Sequence, residues 1–252
     1  MDLASQLRAS LLAQSLPPPS TDFLTTLTTS RSPAPPLPSL LATAKARLLA
    51  CDLTSSSLLD AALLAALPDA AATTKDATLP RDVQVQVLDV EDLSLSRWEQ
   101  VEGLEAMERG ERTRGREIVR VVAAQDQNGD EGASQTQRTA QTASASTSTS
   151  TAAAAAIPAA GPNATHRLVL QDHQGKRIFA VELRRVDRIG VGKTNIGEKM
   201  LLRAGTVVAR GAVLLTPETC VLLGGKIEAW HDSWVQGRLA RLKEAVGSHR
   251  PR

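Results

Sequence analysis

The stretch VQVQVLDV, residues 83–90, decides the fold. Its apolar side chains alternate with polar ones, which is the period of a β-strand, so Val83, Val85 and Val87 point to one face. Leu88 and Val90 continue the alternation on the other face, so the buried side changes near residue 87. A strand that changes its buried face is bent or bulged, as when one strand serves two sheets of a small barrel. This stretch therefore predicts the first strand of a closed β-structure.

The strands that complete this structure come much later in the chain. HRLVLQD (166–172) and KRIFAVEL (176–183) predict a hairpin, because a short loop containing Gly175 joins them. The alternation of Phe179 with Val181 and Leu183 predicts that all three point inward. Further β-rich stretches cover 200–204, 206–209, 212–216 and 220–223, and a helix follows from Ile227 to Val246. Together these elements predict a small, all-β, five-stranded barrel with a C-terminal helix over residues 80–246, followed by a tail, 247–252.

Residues 1–79 predict a small all-α module. The apolar stripes of the first three helices are Leu3, Leu7 and Leu11; Phe23, Leu24 and Leu27; and Leu37, Leu40, Leu41, Ala44 and Leu48. A fourth helix is predicted to start at Ser57, with Asp60 as its capping-box partner, and to end at Pro68. Leucine and alanine stripes of this kind indicate a packed core and carry no chemistry.

A long insertion, residues 92–165, separates the first strand from the hairpin. Residues 123–165 are of low complexity and predict disorder, because they carry almost no large apolar side chains. The earlier half is charged but contains Leu95, Trp98, Val101, Leu104 and Met107 at intervals of three. On a helix of 3.6 residues per turn such side chains spiral around the axis. We therefore expect this segment to pack partly on its own domain and partly on another molecule.

The composition excludes several classes of function. The net charge of +2 predicts no large basic surface for nucleic acid. Cys51 and Cys220 lie far apart without a histidine cluster, which predicts no metal site and a reducing compartment. No apolar run approaches the roughly 20 residues that cross a bilayer. We expect a soluble, intracellular protein without a membrane contact.

A glycine-rich stretch, GVGKT at residues 190–194, raises the question of nucleotide binding. A phosphate-binding loop of this kind requires glycine where Asp187 stands, and the dinucleotide fingerprint requires glycine where Asn195 stands. The scattered histidines form no metal or catalytic pair either. We therefore predict no cofactor and no active site, and a turn at this stretch.

Two segments resemble the RecQ-mediated genome instability protein 1 family in its short fungal form. These are VQVLDVEDLSLSRWEQVEGLEAMERGERTRGREIVRV (85–121) and GEKMLLRAGTVVARGAVLLTPETCVLLGGKIEA (197–229). LLACDL (48–53) resembles the family's N-terminal domain more loosely. The resemblance implies a helical domain followed by an OB-fold with a long insertion after its first strand. It also implies a non-catalytic, nuclear subunit of a complex of topoisomerase III, a type IA enzyme, with a RecQ helicase.

In that complex, the resemblance implies, the barrel binds the topoisomerase and the insertion modulates the enzyme's gate during double Holliday junction dissolution. Candidate partner-binding residues are Ser96, Arg97 and Trp98, then Arg114, Gly115, Arg116 and Glu117 in the insertion, and Leu214, Leu215 and Pro217 in the second segment. Trp98 is either packed on its own barrel or an anchor for a partner. The last three also suit the barrel core, and the spacing of Trp230 and Trp234 predicts core packing.

The alternative function is that of an OB-fold module for single-stranded nucleic acid, which requires aromatic side chains on the barrel surface. With Phe179 expected inside, the sequence predicts no such surface. Weak phosphate contacts remain open for Arg184, Arg185 and Arg188, or for Arg109, Arg112, Arg114 and Arg116.

Overall fold

A computed structural model of the protein describes residues 2–30, 35–68, 75–110 and 164–247. It begins with the helices α1 (Leu3–Ala13), α2 (Thr21–Thr29) and α3 (Leu37–Ala50). The three apolar stripes predicted from the sequence meet in one hydrophobic core, whose helical members include Leu7, Leu11, Phe23, Leu24, Leu27, Leu40, Ala44 and Leu48. The predicted helical module is confirmed by this core.

The fourth helix predicted for residues 57–68 is wrong. In this range the chain forms a single 3-10 turn, Ala61–Leu63. Asp60 does not cap a helix, because its carboxylate pairs with Arg8 of α1 at 3.2 Å. Its backbone N–H donates to the carbonyl oxygen of Pro18 at 2.9 Å. Tertiary contacts therefore hold this segment in an extended form along the α1–α2 connection.

The second part of the chain forms one curled sheet with the strand order β1-β6-β7-β4-β3-β2-β5-β8. Neighbouring strands are antiparallel except β4 and β7, which are parallel. The strands are β1 (Ala77–Thr78), β2 (Val83–Asp92), β3 (His166–Gln171), β4 (Arg177–Glu182), β5 (Lys199–Leu202), β6 (Val207–Ala209), β7 (Ala212–Leu215) and β8 (Cys220–Gly224).

The sheet thus has eight strands where five were predicted. The stretches predicted at 212–216 and 220–223 form β7 and β8, which are separated by a turn at residues 216–219, where Pro217 has no N–H to give to a ladder. β7 pairs with β4, and β8 pairs with β5. β1 and β6 are short and extend one edge of the sheet.

The predicted bend in the first long strand is confirmed. The pairing of β2 with β3 shifts register between Val87 and Asp89, which marks a bulge. β2 pairs with β5 over residues 83–86 and with β3 over residues 86–92, so one strand serves both sides of the curl. Val83, Val85 and Val87 are buried in the barrel core.

The polar residues of this strand are also buried, which the alternation did not reveal. Gln86 is fully buried, and its amide donates to Asp52 at 2.7 Å in the segment after α3. Its carbonyl oxygen accepts from the backbone of Leu53 at 3.0 Å. Gln84 donates to the carbonyl oxygen of Ser15 at 2.8 Å. The helical module therefore covers the polar face of β2.

Two further helices complete the described chain. α4 (Arg97–Glu108) lies at the start of the insertion, and α5 (Glu228–Gly247) follows the last strand. The insertion leaves and returns at one place, because Asp92 of β2 pairs with His166 of β3. No described helix has the length and apolar character needed to span a membrane. Of the low-complexity range predicted to be disordered, residues 123–163 lie outside the described residues, whereas the prediction is wrong for Ala164, which is described and buried.

Candidate partner-binding surface

α4 begins at a capping box that fixes the orientation of its first turn. Ser96 accepts a hydrogen bond from the backbone of Glu99 at 3.1 Å, and Glu99 accepts one from the backbone of Ser96 at 2.7 Å. Hydrogen bonds that the hydroxyl and the backbone N–H of Ser96 give to the Glu99 carboxylate hold the pKa of Glu99 below its ordinary value. Such reciprocal caps satisfy backbone donors that would otherwise lack partners. The direction in which the next residues point is therefore set by local structure.

Trp98 in this first turn is 57% exposed. Its indole N–H donates to Glu102 one turn later at 2.8 Å, which restricts the ring without covering it. Leu93 and Leu95 just before the helix are also exposed. We call these three apolar residues the α4 rim. Of the two interpretations of Trp98, packing on its own barrel and anchoring a partner, its exposure favours the second.

The opposite side of α4 is held on the barrel by buried polar contacts. The amide N–H of Gln100 donates to the carbonyl oxygens of Asp92 at 3.0 Å and of Leu95 at 3.1 Å. Its carbonyl oxygen accepts from Arg238 of α5 at 3.0 Å. Lys243 of α5 also pairs with Glu105 at 2.7 Å. α4 is thus a docked helix with one face on its own domain and its rim exposed.

Arg238 is a buried residue that holds α4 in place, and the sequence analysis missed it. It is buried, its guanidinium carbon lies 5.1 Å from the centroid of the Trp234 ring, and burial lowers its pKa to about 10. Trp234 is buried, as predicted, and its indole N–H donates to Asp89 at 2.6 Å. A signal was available, since Trp230, Trp234 and Arg238 follow one another at intervals of four along one helix face.

The other end of the insertion is fixed as well. The backbone N–H of His166 and its ring Nδ1 each lie 2.8 Å from the Glu182 carboxylate. Arg185 donates to Glu182 and to the carbonyl oxygen of Ala164, both at 3.1 Å. Burial alone would raise the pKa of Glu182, but hydrogen bonds from His166 and from the backbone hold it below its ordinary value. Both roots of the insertion are therefore anchored in buried polar clusters.

The prediction that Phe179 points inward is wrong. Its side chain is 49% exposed, whereas its neighbours Ile178 and Ala180 are buried. Both faces of β4 carry apolar residues, so the alternation alone could not decide which face is the core. Leu183, predicted inward with it, is 63% exposed. The outer face of the barrel is therefore more apolar than the sequence analysis expected.

This outer sheet face consists of Arg167, Val169, Phe179, Val181 and Leu214. Val169 pairs with Phe179, Arg167 with Val181, and Val181 with Leu214 across the three strands. The guanidinium of Arg167 lies 5.0 Å from the centroid of the Phe179 ring, within cation–π range.

Glu91 connects the outer sheet face with α4. It pairs with Arg97 at 3.4 Å and also with Arg167. Two candidate residues that are distant in sequence, Arg97 and Leu214, thus lie on one continuous surface. We call the α4 rim and the outer sheet face together the α4–sheet surface.

The remaining candidates divide between surface and core. Pro217 is exposed in the turn between β7 and β8, and Leu215 is fully buried in the barrel core. Arg114, Gly115, Arg116 and Glu117 lie outside the described residues.

Four arginines considered for phosphate contacts have acidic partners. The pairs are Arg184 with Glu218 at 2.6 Å, Arg185 with Glu182 at 3.1 Å, Arg188 with Glu198 at 3.5 Å and Arg109 with Glu105 at 3.7 Å. Arg112, which was considered with them, is outside the described residues. The glycine-rich stretch forms the predicted turn, in which Lys193 donates to the carbonyl oxygen of Asp187 at 3.2 Å.

Comparison with known proteins identifies the family of this fold. A family model described as the N-terminal OB-fold domain of RMI1 matches residues 67–238, which include α4 and the outer sheet face. A second, described as the N-terminal helical domain of RMI1, matches residues 11–56. The chain belongs to the RMI1 family. The resemblance drawn from the sequence is therefore confirmed, while the predicted boundary at residue 79 stays a prediction.

One curated relative within the RMI1 family carries a functional name. RecQ-mediated genome instability protein 1 of Schizosaccharomyces pombe is 26% identical over 159 residues, which cover 62% of this chain. The aligned part spans 60% of the length of that relative.

Proposed function

We propose that this RMI1-family chain is a non-catalytic, nuclear subunit of a RecQ helicase complex that protects genome stability. In this proposal it binds a type IA topoisomerase III through the α4–sheet surface. The name of the Schizosaccharomyces pombe relative supports the connection with RecQ. The observation that carries the assignment of the surface is Trp98, an exposed aromatic side chain on a firmly docked helix.

The docked helix supports a binding role because its geometry exists before a partner arrives. Interface anchors are commonly aromatic or arginine side chains, and Trp98 and Arg97 offer both. The fixed positions of α4 and of both insertion roots reduce the ordering that binding must impose. Binding energy at this surface is therefore not spent on folding the helix.

The insertion beyond α4 supplies the regulatory part of the proposal. An arm that contacts the topoisomerase gate can change turnover only if it binds the open and closed states with different affinity. We propose that residues beyond the docked helix make those contacts, and thereby promote double Holliday junction dissolution.

The first experiment is co-purification with topoisomerase III, followed by affinity measurement for Trp98→Ala. Truncation of an interface anchor costs about 2 kcal/mol or more, so we expect a loss of roughly 30-fold or greater. Leu63→Ala is the matched control, because Leu63 is 58% exposed on the helical module, away from this surface. Unchanged affinity for Trp98→Ala would contradict the proposed surface.

A second experiment tests the arm. Shortening residues 94–120 should leave the barrel folded and reduce junction dissolution. The shortened chain keeps Arg238, because removal of α4 takes away Gln100 together with the helix that covers the guanidinium and so exposes this charge to water. If the shortened chain kept full dissolution activity, the proposal that the insertion acts on the topoisomerase gate would be wrong.

Single-stranded nucleic acid binding is the second candidate, and the exposure of Phe179 favours it. Stacking of one base on such a ring is worth roughly 1–3 kcal/mol. The test is a gel-shift titration at physiological salt with Phe179→Ala as the variant. Tight binding without a protein partner, lost in that variant, would favour this candidate over the first.

A further inference from the structure

A cleft of about 620 Å³ opens where the helical module, the β3–β4 hairpin and α5 meet. Asp52 and Thr54 contribute the first wall, Gln171 and Arg177 the second, and Trp230 and Arg241 the third. Its volume falls within the range of about 300–1,000 Å³ that is typical of ligand sites. The proposed function makes no use of this cleft.

The floor of the cleft is apolar. Trp230 is half-buried at its side, Ile196 is buried, and Leu88 lies half-buried between them in the lining. The bulge after Val87 explains the position of Leu88, because it turns this residue out of the barrel core. The cleft can therefore accept a large apolar side chain.

The rim of the cleft has an excess of positive charge. Arg177 is exposed and has no hydrogen-bond or ion-pair partner among the described residues. Arg241 donates to the carbonyl oxygen of Trp234 at 2.8 Å and pairs with no carboxylate in the described part of the chain. The Arg177 guanidinium is therefore available to an acidic ligand, and Arg241, which also lies 5.8 Å from the centroid of the Trp234 ring, can use only the N–H donors that the Trp234 carbonyl does not take.

Asp52, the one carboxylate among the described residues of the cleft lining, already accepts hydrogen bonds from neighbouring residues. Asp52 accepts hydrogen bonds from the amide of Gln86 at 2.7 Å and from the backbone and hydroxyl of Thr54 at 3.0 and 2.8 Å. These bonds, together with one from Ser55, hold it as an anion although burial alone would raise its pKa. It neutralises neither arginine.

We propose that this cleft binds a short acidic peptide segment that carries one aromatic or large aliphatic side chain. The apolar side chain packs against the half-buried Trp230 and Leu88. The flanking carboxylates accept paired hydrogen bonds from Arg177 and Arg241, a geometry for which guanidinium groups are well suited. A nucleic acid strand fits less well, because its continuous phosphates need a series of cations and would pass the Asp52 carboxylate.

The test uses the full chain and an acetylated peptide, Asp-Glu-Phe-Leu-Glu-Asp, with calorimetry as the readout. We expect saturable binding at one site. The double variant Arg177→Ala/Arg241→Ala should weaken this binding at least 10-fold. Arg203→Ala is the control, because Arg203 is exposed and does not line the cleft.

A variant in which both arginines are replaced by glutamate tests whether binding depends on charge at these two positions. Arg177→Glu/Arg241→Glu should lose the acidic peptide and bind its counterpart with lysine at the acidic positions, while circular dichroism and the thermal midpoint report folding. The proposal is overturned by absence of saturable peptide binding to the wild type, or by equal binding to the folded alanine variant. It is also overturned if a thymidine decamer displaces the peptide through the same two arginines.

Discussion

Lys199 is a fully buried cation between the barrel and the helical module. Its ammonium donates to the carbonyl oxygens of Gly197 at 2.6 Å and of Leu49 at 3.4 Å. Burial lowers its pKa from 10.5 to about 8. The side chain therefore joins the two parts of the molecule while carrying a desolvation cost.

This cost predicts a pH dependence of stability. Between about pH 8 and 10.5 the unfolded chain keeps the Lys199 proton while the native state loses it, so the unfolded state binds more protons. The free energy of unfolding contributed by Lys199 should therefore rise with pH across this window, by roughly 3 kcal/mol at most. Below about pH 8 the cost is fully present.

Urea unfolding of the wild type and Lys199→Met at several pH values in this window measures the effect. The wild type should gain stability relative to the variant as pH rises. Burial raises the pKa of Cys220 to about 12, which acts in the opposite direction but is shared by both proteins. A difference between them that is independent of pH would contradict the prediction.

Residue-level errors of the sequence analysis have one physical origin. Phe179 was placed from alternation, which gives the period of a strand but does not show what covers each of its two faces, and the burial of Gln86 was not predicted for the same reason. Gln86 is buried because the helical module covers it, and Phe179 is exposed because Ala180 faces the core. Only the tertiary arrangement decides which face is covered.

At the scale of the elements, the contact of Gln100 with Arg238 joins α4 to α5. Gln100→Leu should lower the free energy of unfolding by about 3 kcal/mol, because it leaves a buried guanidinium without its partner. Gln100→Leu/Arg238→Leu should be closer to the wild type, since neither charge nor amide then remains buried. Urea unfolding measures both.

Glu108→Ala on the exposed end of α4 is the control, and should change stability by less than about 0.5 kcal/mol. Equal losses in the single and double leucine variants would show that packing, and not the unpaired charge, determines the effect.

Elements with strong local signals were predicted correctly. The three leucine-rich helices, the bend in β2 and the β3–β4 hairpin each follow from periodicity or turn chemistry within a few residues. The fourth helix failed because Asp60 pairs with Arg8, which lies far away in sequence. The docking of α4 on α5 could not be predicted from the local sequence either, since Gln100 and Arg238 are brought together only by the closed barrel.

At the scale of the whole molecule, two hydrophobic cores meet at a close backbone contact. Gly225 has φ +90°, and a Cβ at this position would overlap the carbonyl oxygen of Leu49. The adjacent Gly224 has φ +91° but open space around it. A comparison of alanine substitutions at the two glycines therefore separates the cost of backbone strain from the cost of disturbing the contact between the cores.

Gly224→Ala should cost about 1–2 kcal/mol from the left-handed backbone alone. Gly225→Ala should cost more, because it also forces the helical module away from the barrel. Thermal unfolding with separate probes for helix and sheet measures both. Equal losses in the two variants would contradict a tight contact at Leu49.

The pairing of Asp92 with His166 has a consequence for protein engineering. Because the chain leaves and re-enters the barrel at neighbouring positions, the length of the segment that follows α4 does not change the distance between the two strands. Each doubling of a closed loop costs only about 0.6 kcal/mol in chain entropy. We therefore expect that a foreign domain whose termini lie close together can be inserted after Gly110 while the barrel stays folded.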